Sequence, residues 1–282
     1  MARVDVEIPA PDGLARGSLH VPDGEGPWPG VLVFPDAGGL RETFREMGDR
    51  IAGLGYVALV PDIYYREGDW APFDMATAFS DEKERARLFG VMGRLTNERI
   101  IADSDAYADF LLARPEVSGP AIGTTGYCLG GRMSMLAAGG IGAKIGAAAS
   151  FHGGRIAVAD DPSSPHLAAD RIAATVYVAG AIEDASFTTE QAALLESALT
   201  AAGVDHTVEF YPAHHGFVVA DHDTYDEQAA LLESALTAAG VEHTVEFYPA
   251  HHGFVVADHD TYDEKAAERH WVALRDLYAA HL

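Results

Sequence analysis

Within this chain of 282 residues, one stretch sets a nucleophile between glycines. "GYCLGG", Gly126–Gly131, follows the strand-like run "AIGTTGY" and opens the helix-like run "LGGRMSMLAAGG". The pattern G-x-C-x-G between a strand and a helix is the cysteine form of a nucleophile elbow. The nucleophile there occupies a sharp, strained turn, and side chains two residues to either side would collide. Gly126 and Gly130 remove that collision. The turn lifts Cys128 Sγ above the sheet and aims the N-terminus of the next helix at it. The unpaired N–H groups and the helix dipole there favour a thiolate and a nascent oxyanion, with the Leu129 N–H as one oxyanion donor. A free cysteine is commonly just a small buried hydrophobe; the order strand, elbow, helix is what favours chemistry.

Such a nucleophile is followed along the chain by an acid and then a histidine. Asp184, in "AIEDASF", falls just past the strand-like run "ATVYVAG" (Ala174–Gly180). Functional loops of parallel sheets gather at the carboxyl ends of strands. A carboxylate there holds an imidazole in the right tautomer and stabilises its protonated form. Glu183 is the neighbouring competitor, and a plain solvated loop acid is the alternative. The next strand-like run, "HTVEFY", leads into "PAHHGF" with His214 and His215; the same words recur with His251 and His252.

These groups need a scaffold. "GVLVF" (Gly30–Phe34) and "YVALVPD" (Tyr56–Asp62) are further buried strands. "RETFREMGDRIAGLG" (Arg41–Gly55) carries Phe44, Met47, Ile51 and Leu54 at helical spacing and ends on glycine. Helical patterning fills Asp81–Met92 and Asn97–Ala113, "IGAAASF" (Ile145–Phe151) is another strand, and "EKAAERHWVALRDLYAAHL" closes the chain as a helix. Apolar strands alternating with amphipathic helices predict a mostly parallel α/β sheet with helices on both faces. "VDVEIP" and "LARGSLHVP" predict an antiparallel hairpin at the sheet edge.

The formal net charge is −24. Nucleic acids and anionic membranes are disfavoured as partners, because phosphate contacts need Lys and Arg. A lone cysteine allows no intrachain disulfide, which suits a reducing cytoplasm. "MARVDVEIPAPDG" lacks the apolar core of a secretory signal, and no apolar run is long enough to span a bilayer.

The stretch "GVLVFPDAGGLRETFREMGDRIAGLGYVALVPDIYYR", the elbow "GYCLGGR", "HGF" and the last helix resemble the dienelactone hydrolase family of the α/β-hydrolase fold. The resemblance covers nearly the whole chain. It implies a single domain over residues 1–282 and cleavage of an ester or lactone through a Cys-His-Asp triad, with no cofactor. It also places the acid at Asp184, and it selects the histidine directly before Gly-Phe, His215 or His252, leaving His214 and His251 as loop or packing residues. The second oxyanion N–H falls to Ala37, in the loop "FPDAGGLRE" after Gly30–Phe34. Asp36 stands where the family carries a glutamate that helps activate the thiol. Asp is one methylene shorter, and an Asx-type turn over Pro35–Gly39 is the equal alternative.

Two features depart from the family. Dienelactone-cleaving members carry an arginine shortly after the catalytic histidine to grip the substrate carboxylate; here "HGFVVADHD" offers Val219 or Val256. An acidic loop repels an anionic substrate, so a different small ester or lactone is expected. Tyr64, Tyr65, Trp70 and Phe73 are either pocket lining or packing. "HGG" (His152–Gly154) follows the wrong strand for an oxyanion motif, and His152 is read as at most a pocket-lining residue.

The other departure is a repeat. Glu190–Asp226 and Glu227–Asp263 are consecutive and identical except for Asp205 against Glu242. Removing one copy of 37 residues leaves 282 − 37 = 245, a single domain. Eight of the 13 histidines fall in the repeat, and duplication explains that density without a metal. If copy one carries the base, His215, its short path from Asp184 is the reason, and the helix Glu227–Gly240 takes the place of the closing helix. If copy two carries it, His252 sits one helix before the C-terminus. A surplus strand edge also permits a domain-swapped homodimer instead of a monomer, and displacement of the histidine loop would leave an inactive scaffold.

Overall fold

The apolar runs assemble into one mixed sheet. In the computed structural model, which describes residues 1–74, 77–181, 184–211 and 264–281, the strands are β1 (Ala2–Ala10), β2 (Gly13–Val21), β3 (Trp28–Phe34), β4 (Val57–Pro61), β5 (Val117–Tyr127), β6 (Ile145–Phe151), β7 (Thr175–Ala181) and β8 (His206–Tyr211). Their order is β1-β2-β4-β3-β5-β6-β7-β8. β1 and β2 form the antiparallel edge hairpin, β2 runs antiparallel to β4, and every later pairing is parallel.

Successive strand residues point to opposite faces, so strands apolar at every position need cover on both sides. Leu32, Phe34, Val57 and Leu59 face one core with Ile100, Tyr107 and Leu111 of α3 (Asn97–Leu112) and with Met133 and Leu136 of α4 (Leu129–Ile141). Val31, Val33, Ala58 and Val60 face the other, with Phe44, Met47 and Ile51 of α1 (Glu42–Gly53). Leu54 falls just past the end of α1 and is exposed, so the apolar stripe there is one residue shorter than its spacing predicts. α2 (Glu82–Met92) begins where the Asp81 side chain accepts the Glu84 N–H at 2.9 Å.

Copy one of the repeat supplies α5 (Thr189–Ala202) and β8, which extend the sheet beyond β7. Gly203 ends α5 in the left-handed conformation, φ 72°. The closing position is filled by the last helix, α6 (Glu264–His281), while Glu227–Gly240 lies outside the described residues. What seats α6 is the stripe Ala267, Trp271, Leu274 and Tyr278, whose spacing of three and four buries one face of α6 against α1, β4 and β6. Arg50 stacks on Trp271 at 4.6 Å, and Tyr56 meets Tyr278 edge-on at 5.4 Å. No helix among the described residues is long and apolar enough to cross a membrane.

Candidate active site

β5 runs through the centre of the sheet to Tyr127, and the chain then reverses its sense of turn. Cys128 has φ 53° and ψ −113°, and α4 starts at the next residue. A non-glycine residue in that region is strained and persists only where its surroundings hold it. The glycines make the turn possible. A Cβ on Gly126 would run into the Gly130 carbonyl, and one on Gly130 into the carbonyls of Phe34 and Pro35. A Cβ on Gly131 would come to 2.7 Å from Ser150 Oγ. The start of α4 is thus pressed against the ends of β3 and β6. Thr124 Oγ1 and Ser134 Oγ, 2.8 Å apart, tie β5 to α4.

The Cys128 carbonyl accepts the N–H groups of Gly131 and Arg132, at 3.0 and 3.3 Å. Leu129 is therefore the first residue of the helix, where an N–H has no intrahelical acceptor. Cys128 itself is half-buried.

The loop after β3 lies beside this turn. Asp36 is buried; its Oδ1 accepts the Gly38 N–H at 2.8 Å, and its carbonyl accepts the Gly39 N–H at 3.0 Å. Arg41 grips both carboxylate oxygens, at 2.6 and 2.9 Å, and covers Phe44 at 4.9 Å. Asp36 is thus the Asx-turn residue of the loop, with its charge engaged by Arg41. Nothing in the sequence reading pointed to Arg41; its position five residues beyond Asp36, opening α1, was the available signal.

Ala37 is buried, and its carbonyl accepts the Tyr64 hydroxyl at 2.8 Å. Burial, and then the nearby charges of Asp36 and Cys128, push the Tyr64 phenol well above its usual range. Trp70 crosses Tyr64 edge-on at 5.4 Å, and Phe73 lies 5.9 Å from Trp70. Asp62 accepts the Trp70 indole N–H at 3.1 Å and the Tyr64 N–H at 2.9 Å. Burial raises the Asp62 carboxyl pKa. Gly39 adopts φ 73°, and a Cβ there would touch Trp70 at 2.9 Å. The aromatic group packs on the loop carrying Ala37. Tyr65 does not join it: its hydroxyl turns away to Asp103 at 3.0 Å.

His152, read from the sequence as a pocket-lining residue, lies against the elbow. It is fully buried with φ 42°, and its Nδ1 accepts the Cys128 N–H at 3.1 Å. It touches the elbow itself. The following residues reach the acid loop, where the Ser186 carbonyl accepts the Arg155 N–H at 2.8 Å. Asp184, half-buried, lies just beyond β7; its Oδ1 accepts the Ser186 N–H at 2.8 Å and the Ser186 hydroxyl at 2.6 Å. The elbow, the β6 loop and the Asp184 loop are therefore contiguous. Glu183, both candidate bases His215 and His252, and Val219 and Val256 lie outside the described residues.

The comparisons with known proteins point to one family. The model of the dienelactone hydrolase family matches residues 15–232 and again 220–282. The two matches overlap across the junction between the two copies. The "Putative carboxymethylenebutenolidase" of Synechocystis sp. is 30% identical over 224 residues, covering 78% of this chain and 88% of that protein. The crystal structure of a dienelactone hydrolase-like promiscuous phosphotriesterase from metagenomic libraries superposes with a TM-score of 0.69 at 26% identity. That match covers 99% of this chain and 98% of the other. A strand-elbow-helix centre in a mostly parallel sheet, joined to a family match over most of the length, leaves one assignment: the chain is a hydrolase of the dienelactone hydrolase family, built on the α/β-hydrolase fold.

Proposed function

We propose that the protein hydrolyses a small ester or lactone through an acyl-enzyme on Cys128. The observation that carries this reading is the backbone of Cys128, φ 53° at the start of α4. It presents the side chain where first-turn N–H groups favour negative charge. The histidine takes the Cys128 thiol proton, and the resulting Sγ thiolate attacks the carbonyl carbon. The C=O electron pair moves to oxygen, held by the Leu129 and Ala37 N–H groups. The tetrahedral centre collapses with loss of the alcohol, which takes its proton from the histidine. A water activated by the same histidine then releases the acid and restores the thiol. Asp184 orients the imidazole and stabilises its charged form.

His215 is the favoured base. It stands four residues beyond Tyr211, the end of β8, and β8 neighbours β7, which leads to Asp184. Four residues reach at most about 14 Å, a short tether from that strand. His252 is the alternative. The substrate class is narrowed by charge. The net charge is −24, and the Arg41 guanidinium beside the loop is already engaged by Asp36. An uncharged ester or lactone therefore suits the site better than an anionic dienelactone.

Turnover of p-nitrophenyl acetate by the wild type and by Cys128→Ala tests the reading. Loss of turnover in the variant supports it, and equal rates would sink it. His215→Ala and His252→Ala, assayed separately, assign the base.

A further inference from the structure

The two residues that leave β5 and β6 do so at the same level of the sheet. Tyr127 pairs with Phe151 as the last rung of the parallel ladder. The next residue on each strand is Cys128 on one and His152 on the other, and both take positive φ, 53° and 42°. With Arg155 they are the only non-glycine residues in that region among the described residues. Two adjacent strained corners suggest one device.

The contacts show how it works. The Cys128 N–H points between two acceptors, the Phe151 carbonyl at 3.0 Å and His152 Nδ1 at 3.1 Å. On the other side of the same Cα, the Cys128 carbonyl is held by the N–H groups of Gly131 and Arg132. Both peptide planes flanking Cys128 are thus pinned. Fixing those planes fixes φ and ψ, and with them the direction of the Cα–Cβ bond that carries Sγ.

We infer that His152 is a positioning residue for the nucleophile: its ring, accepting the Cys128 N–H, holds the elbow in the strained conformation that aims the thiol at the helix N-terminus. Accepting that bond requires a lone pair on Nδ1, so the proton is on Nε2 and the ring is neutral. His152 therefore contributes geometry rather than charge to the thiol. Its own backbone is anchored by an N–H donated to the Ala179 carbonyl of β7 at 2.7 Å. The bond thereby ties the elbow to the strand that leads to Asp184. The side chain is buried, which shields the bond from competing water.

The inference rests on Cys128 being the nucleophile, and its test has an arm that does not depend on turnover. His152→Asn keeps an acceptor at the position of Nδ1 and tolerates positive φ. His152→Leu has similar bulk and no acceptor. His152→Gly has no acceptor but accommodates the backbone, so it guards against misfolding of the leucine variant. Two rates are measured: alkylation of Cys128, the chain's single thiol, by iodoacetamide, and kcat and KM for p-nitrophenyl acetate. Misplacement of a reacting group by about an ångström costs on the order of a hundredfold. The Leu and Gly variants are expected to lose about tenfold or more in alkylation rate and in kcat, with KM changed less than about twofold. The Asn variant is expected to stay within about threefold of wild type. Wild-type alkylation in both acceptor-free variants, or an Asn variant as slow as they are, overturns the inference. If no form turns over ester but alkylation follows the expected order, the hydrolase mechanism fails and the positioning role stands.

Discussion

The Tyr127 hydroxyl lies 2.8 Å from Nε2 of His270. His270 Nδ1 donates to the Ala267 carbonyl at 3.2 Å, so Nε2 accepts from the tyrosine. The residue before the nucleophile is thereby bonded to the closing helix, 143 positions away. The imidazole also meets Phe151 edge-on at 4.3 Å. α6 thus braces the elbow from the face of the sheet opposite α4.

The burial of His270 makes stability depend on pH. Burial lowers the His270 pKa to about 3, against about 6.5 in an unfolded chain. Between those values the unfolded state binds a proton that the native state does not. Stability is therefore unaffected by this group above about pH 6.5 and is lost by about 1.4 kcal/mol per pH unit as pH falls toward 3. His270→Phe removes that slope and costs about 1–2 kcal/mol at neutral pH by taking away the acceptor of the tyrosine hydroxyl, which keeps only its contact with Thr125 Oγ1 at 3.4 Å. Urea unfolding at pH 7, 5.5 and 4.5 measures both effects. Parallel losses in variant and wild type would contradict them.

The elbow glycines tolerate no side chain. Gly130→Ala drives a Cβ into the carbonyls of Phe34 and Pro35, and Gly126→Ala drives one into Gly130. Each is expected to destabilise by about 3 kcal/mol and to abolish thiol alkylation at the wild-type rate. Thermal melting together with iodoacetamide kinetics checks this.

Arg41→Met leaves the Asp36 carboxylate buried without its cation, since both side chains are at most 7% exposed. About 3 kcal/mol of stability should be lost. Arg41→Met combined with Asp36→Asn should recover part of it. A double variant as unstable as the single one would show that the pair is not what holds the loop.

Tyr64→Phe deletes the hydroxyl that binds the Ala37 carbonyl. If Ala37 supplies an oxyanion N–H, kcat falls about threefold to tenfold, less than loss of the donor itself. The melting temperature moves by only a few degrees. An unchanged kcat would remove Ala37 from the proposed mechanism.

Deleting residues 227–263 removes copy two and leaves 282 − 37 = 245 residues. α5, β8 and α6 are all retained, so the shortened chain should melt within a few degrees of the full one. With His215 as base it should keep its esterase activity. Loss of activity in this deletion, with full activity in His215→Ala, would assign the base to His252.

Much of this fold was legible in the residues. Parallel strands covered on both faces are apolar throughout, so "GVLVF" and "IGAAASF" could be read without any partner. The glycines at 126 and 130 announced a tight turn because nothing else fits there. Less legible were Arg41 and His152. An arginine after a Gly-Gly pair and a histidine before one carry no periodic signal; the partner of Arg41, Asp36, is only five residues back, whereas that of His152, Cys128, comes from the neighbouring strand. The repeat concealed the rest. With two identical helix–strand words, local pattern favours neither one.

The sequence by itself determined the elbow, the alternation that makes a mostly parallel sheet, and the excess of negative charge, because each follows from local sterics, from period or from composition. Only the tertiary structure decided that copy one extends the sheet while α6 keeps the closing position. That choice is made by the fit of Trp271, Leu274 and Tyr278 against α1 and the strands. It also decided that Asp36 is gripped by Arg41 and that His152 grips Cys128. The first is local but depends on how α1 packs; the second depends on the register of β5 against β6, which brings together residues that no local pattern connects.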